Sequence, residues 1–156
     1  MRVGITGHQR IPPAAHAFII DAITRYLTGV PDLVGVSSLA AGADQEFADL
    51  VVAAGGGLVV VVPSVDYESS FESPDDHRRF ARLLAVAEHV IQMGYDAPTE
   101  AAYLAAGRRV VDESDHLLAV WDGQPARGLG GTADIVAYAA QRGKPTHVVW
   151  PQGVRR

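Results

Sequence analysis

Leu117-Leu118-Ala119-Val120-Trp121-Asp122-Gly123 and, after a short interval, Gly128-Leu129-Gly130-Gly131-Thr132-Ala133-Asp134 decide how this chain is read. Leu117 to Trp121 is an aliphatic run of strand type, Gly131 to Gln141 reads as a helix, and Thr146 to Trp150 reads as a further strand. A strand, a helix and a second strand in that order form a βαβ unit, whose strands pair in parallel. The loop between the first strand and the helix is rich in glycine and ends in Thr132. Backbone amides and a threonine hydroxyl at a helix start can donate to an anion, and the helix dipole favours its charge. Capping of the helix by Thr132 is the plainer use of that residue, and the two uses are compatible.

The same alternation runs back to the amino terminus. Arg2 to Thr6 is a first strand, followed by a helix from Ala14 to Thr28 with Phe18, Ile19, Ala22, Ile23, Tyr26 and Leu27 at helical spacing. Leu33 to Ser38 is a second strand and Ala43 to Ala54 a second helix. Leu58 to Val62 is the unbroken aliphatic run expected of a strand covered on both faces, and Pro63 is expected to end it. Ser73-Pro74-Asp75-Asp76 has the chemistry of a helix start, with a capping serine, a proline at the first position and acids at the positive end of the dipole. His89 to Met93 is a short strand expected at the sheet edge, and Pro98 opens a helix to about Glu113. The expected fold is α/β: one Rossmann-like domain over residues 1–156, with a doubly wound, mainly parallel sheet and helices on both faces. Ligands of such sheets sit at the carboxyl ends of the strands, where the strand order reverses.

That rule directs attention to the loops after the strands. Gly7, His8 and Arg10 follow the first, with Gly7 permitting close backbone approach. The loop from Ser38 to Gly42, Ala43 and Asp44 is built of small residues, which leave amides open to an anion; Asp44 either caps the helix or meets a ligand hydroxyl. Pro63, Ser64 and Tyr67 follow the third strand, with Tyr67 either stacking on a base or packing on the domain together with Phe71. Asp122 and Gly123 follow the strand at Trp121, ahead of Gly130, Gly131 and Thr132. On the preceding helix Tyr103, Arg108 and Arg109 are the aromatic and cationic candidates, although an arginine near a helix C-terminus also serves the dipole. Neither the G-x-G-x-x-G fingerprint nor the P-loop lysine motif is present, so neither a standard dinucleotide dehydrogenase nor a P-loop NTPase is supported.

Composition narrows the partners. The chain has 156 residues, is 48% hydrophobic and 20% charged, and contains no cysteine, hence no thiol nucleophile and no thiolate metal site. Its histidines lack metal-ligand spacing, so no metal and no resident cofactor are expected. No apolar stretch approaches the roughly 18 residues of a membrane span, and the amino-terminal run is too short for a secretory signal, so a cytoplasmic location without membrane contact is expected. A formal net charge of −5 argues against a nucleic-acid partner and leaves a small phosphate-bearing ligand.

Taken together, Gly4-Ile5-Thr6-Gly7-His8, Ser38-Leu39-Ala40-Ala41-Gly42-Ala43-Asp44, Ser114 to Gly123 and Gly130-Gly131-Thr132-Ala133-Asp134 resemble the SLOG superfamily. That group includes the Rossmann domain of DNA-processing protein A, the YpsA-like proteins and the LOG cytokinin-activating enzymes. The resemblance covers nearly the whole chain and implies a Rossmann-like fold holding a nucleotide-type ligand, with homodimers common among related folds. LOG-type enzymes hydrolyse the N-glycosidic bond of nucleoside 5′-monophosphates with a P-G-G-x-G-T-x-x-E motif. Gly131-Thr132 matches that motif, but Ile135 stands where its glutamate would be. Asp134, Asp44 or Asp122 is then the catalytic substitute in a hydrolase reading, and the YpsA-like and DNA-processing branches imply a binder or sensor.

Overall fold

The computed structural model describes residues 1–125 and 131–156. The six strands are β1 (Arg2–Gly7), β2 (Val34–Ser37), β3 (Gly57–Ser64), β4 (His89–Tyr95), β5 (His116–Val120) and β6 (Thr146–Val149). Five helices connect them among the described residues: α1 (Pro13–Thr28), α2 (Ala43–Ala53), α3 (Pro74–Ala85), α4 (Glu100–Asp112) and α5 (Thr132–Gln141), with a 3-10 turn over Tyr67–Ser70. The sheet order is β4-β3-β2-β1-β5-β6, and every pairing is parallel. The chain winds outward from β1 to β4, then returns through α4 to lay β5 against the other side of β1. The order therefore reverses at β1, and the crevice between the ends of β1 and β5 is the place where such a sheet receives a ligand.

Period-two alternation accounts for the two layers. In β3, Leu58, Val60 and Val62 join α2 and α3 in one core cluster, while Val59 and Val61 face Ala106 and Val110 of α4 on the other side. Ala15, Ile19, Ile23 and Leu27, the buried stripe of α1, pack with Phe47 and Val51 of α2 over Val3 and Ile5. Ser73 caps α3 as its sequence implies, accepting from the Asp76 amide at 3.4 Å.

Three boundaries depart from expectation for local reasons. Pro63 does not end β3; the strand continues to Ser64, with an irregular register against β4 between Val62 and Ser64. Proline has no amide to give the ladder, so pairing skips past it instead of stopping. Helix α4 begins after Thr99, whose hydroxyl accepts the Ala102 amide at 3.2 Å, and Pro98 lies ahead of that cap. Gly131, not Thr132, is the N-cap of α5, which leaves Thr132 inside the helix and 92% buried. Among the described residues no helix is long and apolar enough to cross a membrane.

Gly42 ties the layers together at the sheet edge. Its φ is +83°, and a Cβ there would lie 2.3 Å from the Gln9 carbonyl oxygen. The left-handed backbone and the neighbouring β1 loop both demand glycine. Gly42→Ala should lower the unfolding free energy by about 3 kcal/mol in a urea titration; a change under about 0.5 kcal/mol would show that this contact is not close.

Candidate functional site

A cavity of about 420 Å³ opens at the carboxyl ends of β1, β2, β3 and β5, within the size range of small-ligand sites. It sits at the switch point, with Gly7 and His8 from β1 and its loop, Trp121 after β5, and Gly131 and Thr132 from the start of α5. An α-helix leaves its first amides without intrahelical acceptors. In α5 these belong to Thr132 and Ala133, and both residues line the cavity, whereas the amides of Asp134 and Ile135 already donate to the Gly131 carbonyl. Gly130, with Gly128 and Leu129, lies outside the described residues.

The wall beside α5 is held by a charged group of three. The Asp122 carboxylate lies 3.3 Å from His8 Nε2 and, through its other oxygen, 3.3 Å from Arg156 Nε. Arg156 Nη1 is 3.2 Å from His8 Nδ1. The Asp122 amide donates to His8 Nε2 at 3.2 Å. Burial raises the Asp122 pKa, but the Gln124 amide, His8 and Arg156 outweigh it and hold the carboxyl below its usual value. Asp122 is therefore committed to holding His8 and Arg156. It does not line the cavity, contrary to its reading as a ligand contact; Gly123 turns away outside it as well.

The loop after β2 corrects a second expectation. Its amides are bonded within the chain: Leu39 to Ser37 Oγ at 2.9 Å, Ala40 to Asp44 Oδ2 at 3.3 Å, Ala43 to the His8 carbonyl at 3.2 Å and Gln45 to the Ala40 carbonyl at 3.2 Å. Neither Gly42 nor Ala43 lines the cavity; Ser38 and Asp44 do. Asp44 does not cap α2, whose N-cap is Gly42. Its carboxyl is 92% buried and is pushed up to about 7 by that burial, against the lowering pull of hydrogen bonds from the Ala40 and Ser38 amides and the Ser37 hydroxyl.

Beyond Asp44, Pro63 and Tyr67 line the cavity, but Ser64 is fully buried with its hydroxyl donating to Asp66 Oδ1 at 3.1 Å. The Tyr67 ring packs edge-on against Phe71, Phe80 and Tyr103 at 5.3, 5.5 and 6.3 Å, so it belongs to the core instead of offering a free stacking face. Helix α4 presents Glu100, Tyr103, Gly107 and Val110, at the three- and four-residue spacing of one face. Arg108, one residue round from that face, sits 5.3 Å from the centre of the Tyr138 ring and does not enter the cavity. Arg109 pairs with Glu113, Arg10 reaches only a smaller adjoining cavity, and Asp134, the proposed catalytic acid, does not line the site. Sequence reasoning missed Arg156, Glu100 and Gln124, which all line it. Arg156 arrives because the tail folds back, with Trp150 Nε1 donating to the Val154 carbonyl at 2.8 Å and the His8 ring edge-on to Trp150 at 5.4 Å.

No family model matches the chain, and no curated protein matches it. Solved structures do. DNA processing protein A from Streptococcus pneumoniae superposes with a TM-score of 0.70 at 16% identity, over 94% of this chain and 49% of that one. The corresponding Helicobacter pylori protein gives 0.71 at 19% identity, over 100% of this chain and 67% of its own. The Moco carrier protein of Chlamydomonas rheinhardtii gives 0.56 at 17%, over 94% and 74%. What these likenesses share with the chain is the fold, an α/β sheet of parallel strands. The chain spans about half the length of the pneumococcal protein. The comparison also overturns the exclusion of nucleic acid, because the H. pylori structure describes that protein's single-stranded DNA binding mode on the same fold. Net charge is a property of the whole chain, whereas contact depends on the local field of the binding surface.

The folded form holds the Asp44 proton to higher pH than the unfolded chain, whose aspartates titrate near pH 4. Stability should therefore fall as pH rises from about 4 to about 7 and level off above that. Asp44→Asn should flatten this slope and exceed the wild type by roughly 2–4 kcal/mol at about pH 8, because each tenfold change in proton affinity is worth about 1.4 kcal/mol. Parallel pH profiles of the two proteins in urea would refute the raised carboxyl.

Proposed function

We propose that the chain binds a nucleotide or nucleotide-derived ligand in the switch-point cavity, with its phosphate against the start of α5. The observation that carries this reading is that Thr132 and Ala133, the first residues of α5, line the same cavity as Arg156. Amides at a helix start and a guanidinium are complementary to a phosphate in both charge and geometry. Arg156 takes the supplementary role that the sequence suggested for Arg10 or Arg108. Hydrolysis of an N-glycosidic bond, the activity implied by the LOG resemblance, would fall to Asp44, because Ile135 is buried against Gly107 and Asp134 lies outside the cavity.

A second reading, favoured by the fold shared with the single-stranded DNA-binding H. pylori protein, is that the same cradle takes a backbone phosphate of single-stranded nucleic acid. Anisotropy of a labelled oligonucleotide separates the two: a mononucleotide that displaces it shares its site, and an oligonucleotide that never binds removes this reading.

Ala133→Glu tests the phosphate wall. The position is half-buried in the first turn of α5, where a carboxylate suits the helix dipole, so the fold should keep its melting temperature. In wild-type protein a nucleotide at about 100 times its Kd should add about 2.7 kcal/mol of stability. The variant should lose that gain, and an undiminished thermal shift in the variant would overturn the placement of the phosphate.

A further inference from the structure

The sheet has two edges, and they are not guarded alike. At one, β6 is four residues long, with Pro145 just before it and Pro151 shortly after it. Short edge strands and prolines deter the addition of a further strand. At the other, β4 is seven residues long and reads His89-Val90-Ile91-Gln92-Met93-Gly94-Tyr95, with no proline, lysine, arginine or carboxylate. Every residue of β4 is exposed or half-buried, Val90 by 43% and Tyr95 by 37%, so neither face has a helix that overhangs the edge. Backbone direction decides what this edge offers. The Glu88 amide donates to the Leu58 carbonyl at 2.9 Å, and His89 is then in register with Val59. Amide and carbonyl directions alternate along a strand, so Val90 and Gln92 bond β3, while His89, Ile91 and Met93 turn theirs outward ahead of the register shift opposite Pro63. Among the described residues, the one partner of these outward groups is the Gln92 side-chain amide, 3.4 Å from the Met93 carbonyl, which is a loose contact. Glu88, the acid next to the strand, does not guard the edge: a Cβ on Gly57 would meet its Oε2, so the carboxylate leans back over β3.

We propose that β4 is the interface with a second copy of this chain, the two β4 strands pairing antiparallel about a two-fold axis at Ile91. The strand is self-complementary in that register. Ile91 stands opposite Ile91 of the other copy, His89 opposite Met93, Val90 opposite Gln92 and Glu88 opposite Gly94, so no like charges face each other. The outward amides and carbonyls of His89, Ile91 and Met93 then satisfy one another across the axis. Such pairing uses the open edge of both copies and leaves only the two guarded β6 edges, so assembly closes at two chains instead of growing into a fibre. A contact of one strand on each side lies at the small end of protein interfaces, and association should be weak, with a Kd on the order of 10 µM.

Sedimentation equilibrium of the full chain from about 1 to about 300 µM should pass from the mass of one chain to that of two. Ile91→Pro removes an outward amide while leaving the ladder to β3 whole, and Val90→Lys sets a charge on an exposed edge position that the fold does not need. Each should weaken association about tenfold or more. Ile91→Cys supplies the only thiol of a chain without cysteine. The two Cα atoms of a hydrogen-bonded antiparallel pair lie about 5.5 Å apart, within disulfide reach, so mild oxidation should give a covalent dimer. Phe18→Cys, an exposed position on α1, should stay monomeric under the same oxidation. A wild-type chain that is monomeric throughout the concentration range leaves the edge to an unrelated extended segment and overturns the assignment. A dimer equally stable in Ile91→Pro and Val90→Lys, or cross-linking no faster in Ile91→Cys than in Phe18→Cys, overturns it too.

Discussion

The end of β1 is wedged between two neighbours with no space for a side chain. A Cβ at Gly7 would lie 2.5 Å from the Ala43 Cβ and 2.8 Å from the Val120 Cβ. That closeness lets the start of α2 and the end of β5 converge on the same few residues, and the cavity is assembled around the convergence. His8 follows at once and is fixed by its backbone as much as by its ring: its amide donates to the Val120 carbonyl and its carbonyl accepts from Ala43, each at 3.2 Å. One residue thus links β1, β5 and α2 before its imidazole meets Asp122 and Arg156. Larger side chains at Gly7 would separate these elements, and the loops after β1 and β5 would no longer face each other across one crevice.

Much of this architecture was legible in the sequence because it depends on local pattern. The unbroken Leu58 to Val62 run announces a strand covered on both faces, and Ser73-Pro74-Asp75-Asp76 announces a helix start, whatever their neighbours do. The position of Gly131 and Thr132 at the start of α5 follows from the same kind of signal. What the sequence did not reveal depends on rotation and return. Arg108 and Gly107 are adjacent in sequence but about a hundred degrees apart round α4, so the glycine lines the cavity and the arginine reaches Tyr138. The amides of Leu39, Ala40, Ala43 and Gln45 look open in a run of small residues, yet Ser37, Asp44 and the carbonyls of His8 and Ala40 close them. Arg156 carries no motif at all; its place is set by Trp150 and Val154, which fold the tail back across the end of the sheet.

Two aspartates show how the cavity acquires its polarity. Asp44 is buried and Asp122 is half-buried, and in both burial alone works against the charged form. Asp122 has a guanidinium, an imidazole and a backbone amide around it and stays ionised, locking His8 and Arg156 in place. Among the described residues Asp44 has only neutral donors, and its burial pushes the carboxyl up to about 7. Neutral hydrogen bonds offset part of the desolvation cost of a carboxylate, and a nearby positive charge offsets much more. The two sites differ both in depth and in partners, with the Gln124 amide, His8 and Arg156 around Asp122 and only neutral donors around Asp44. A fold of this size retains such an uncompensated carboxyl at the expense of stability.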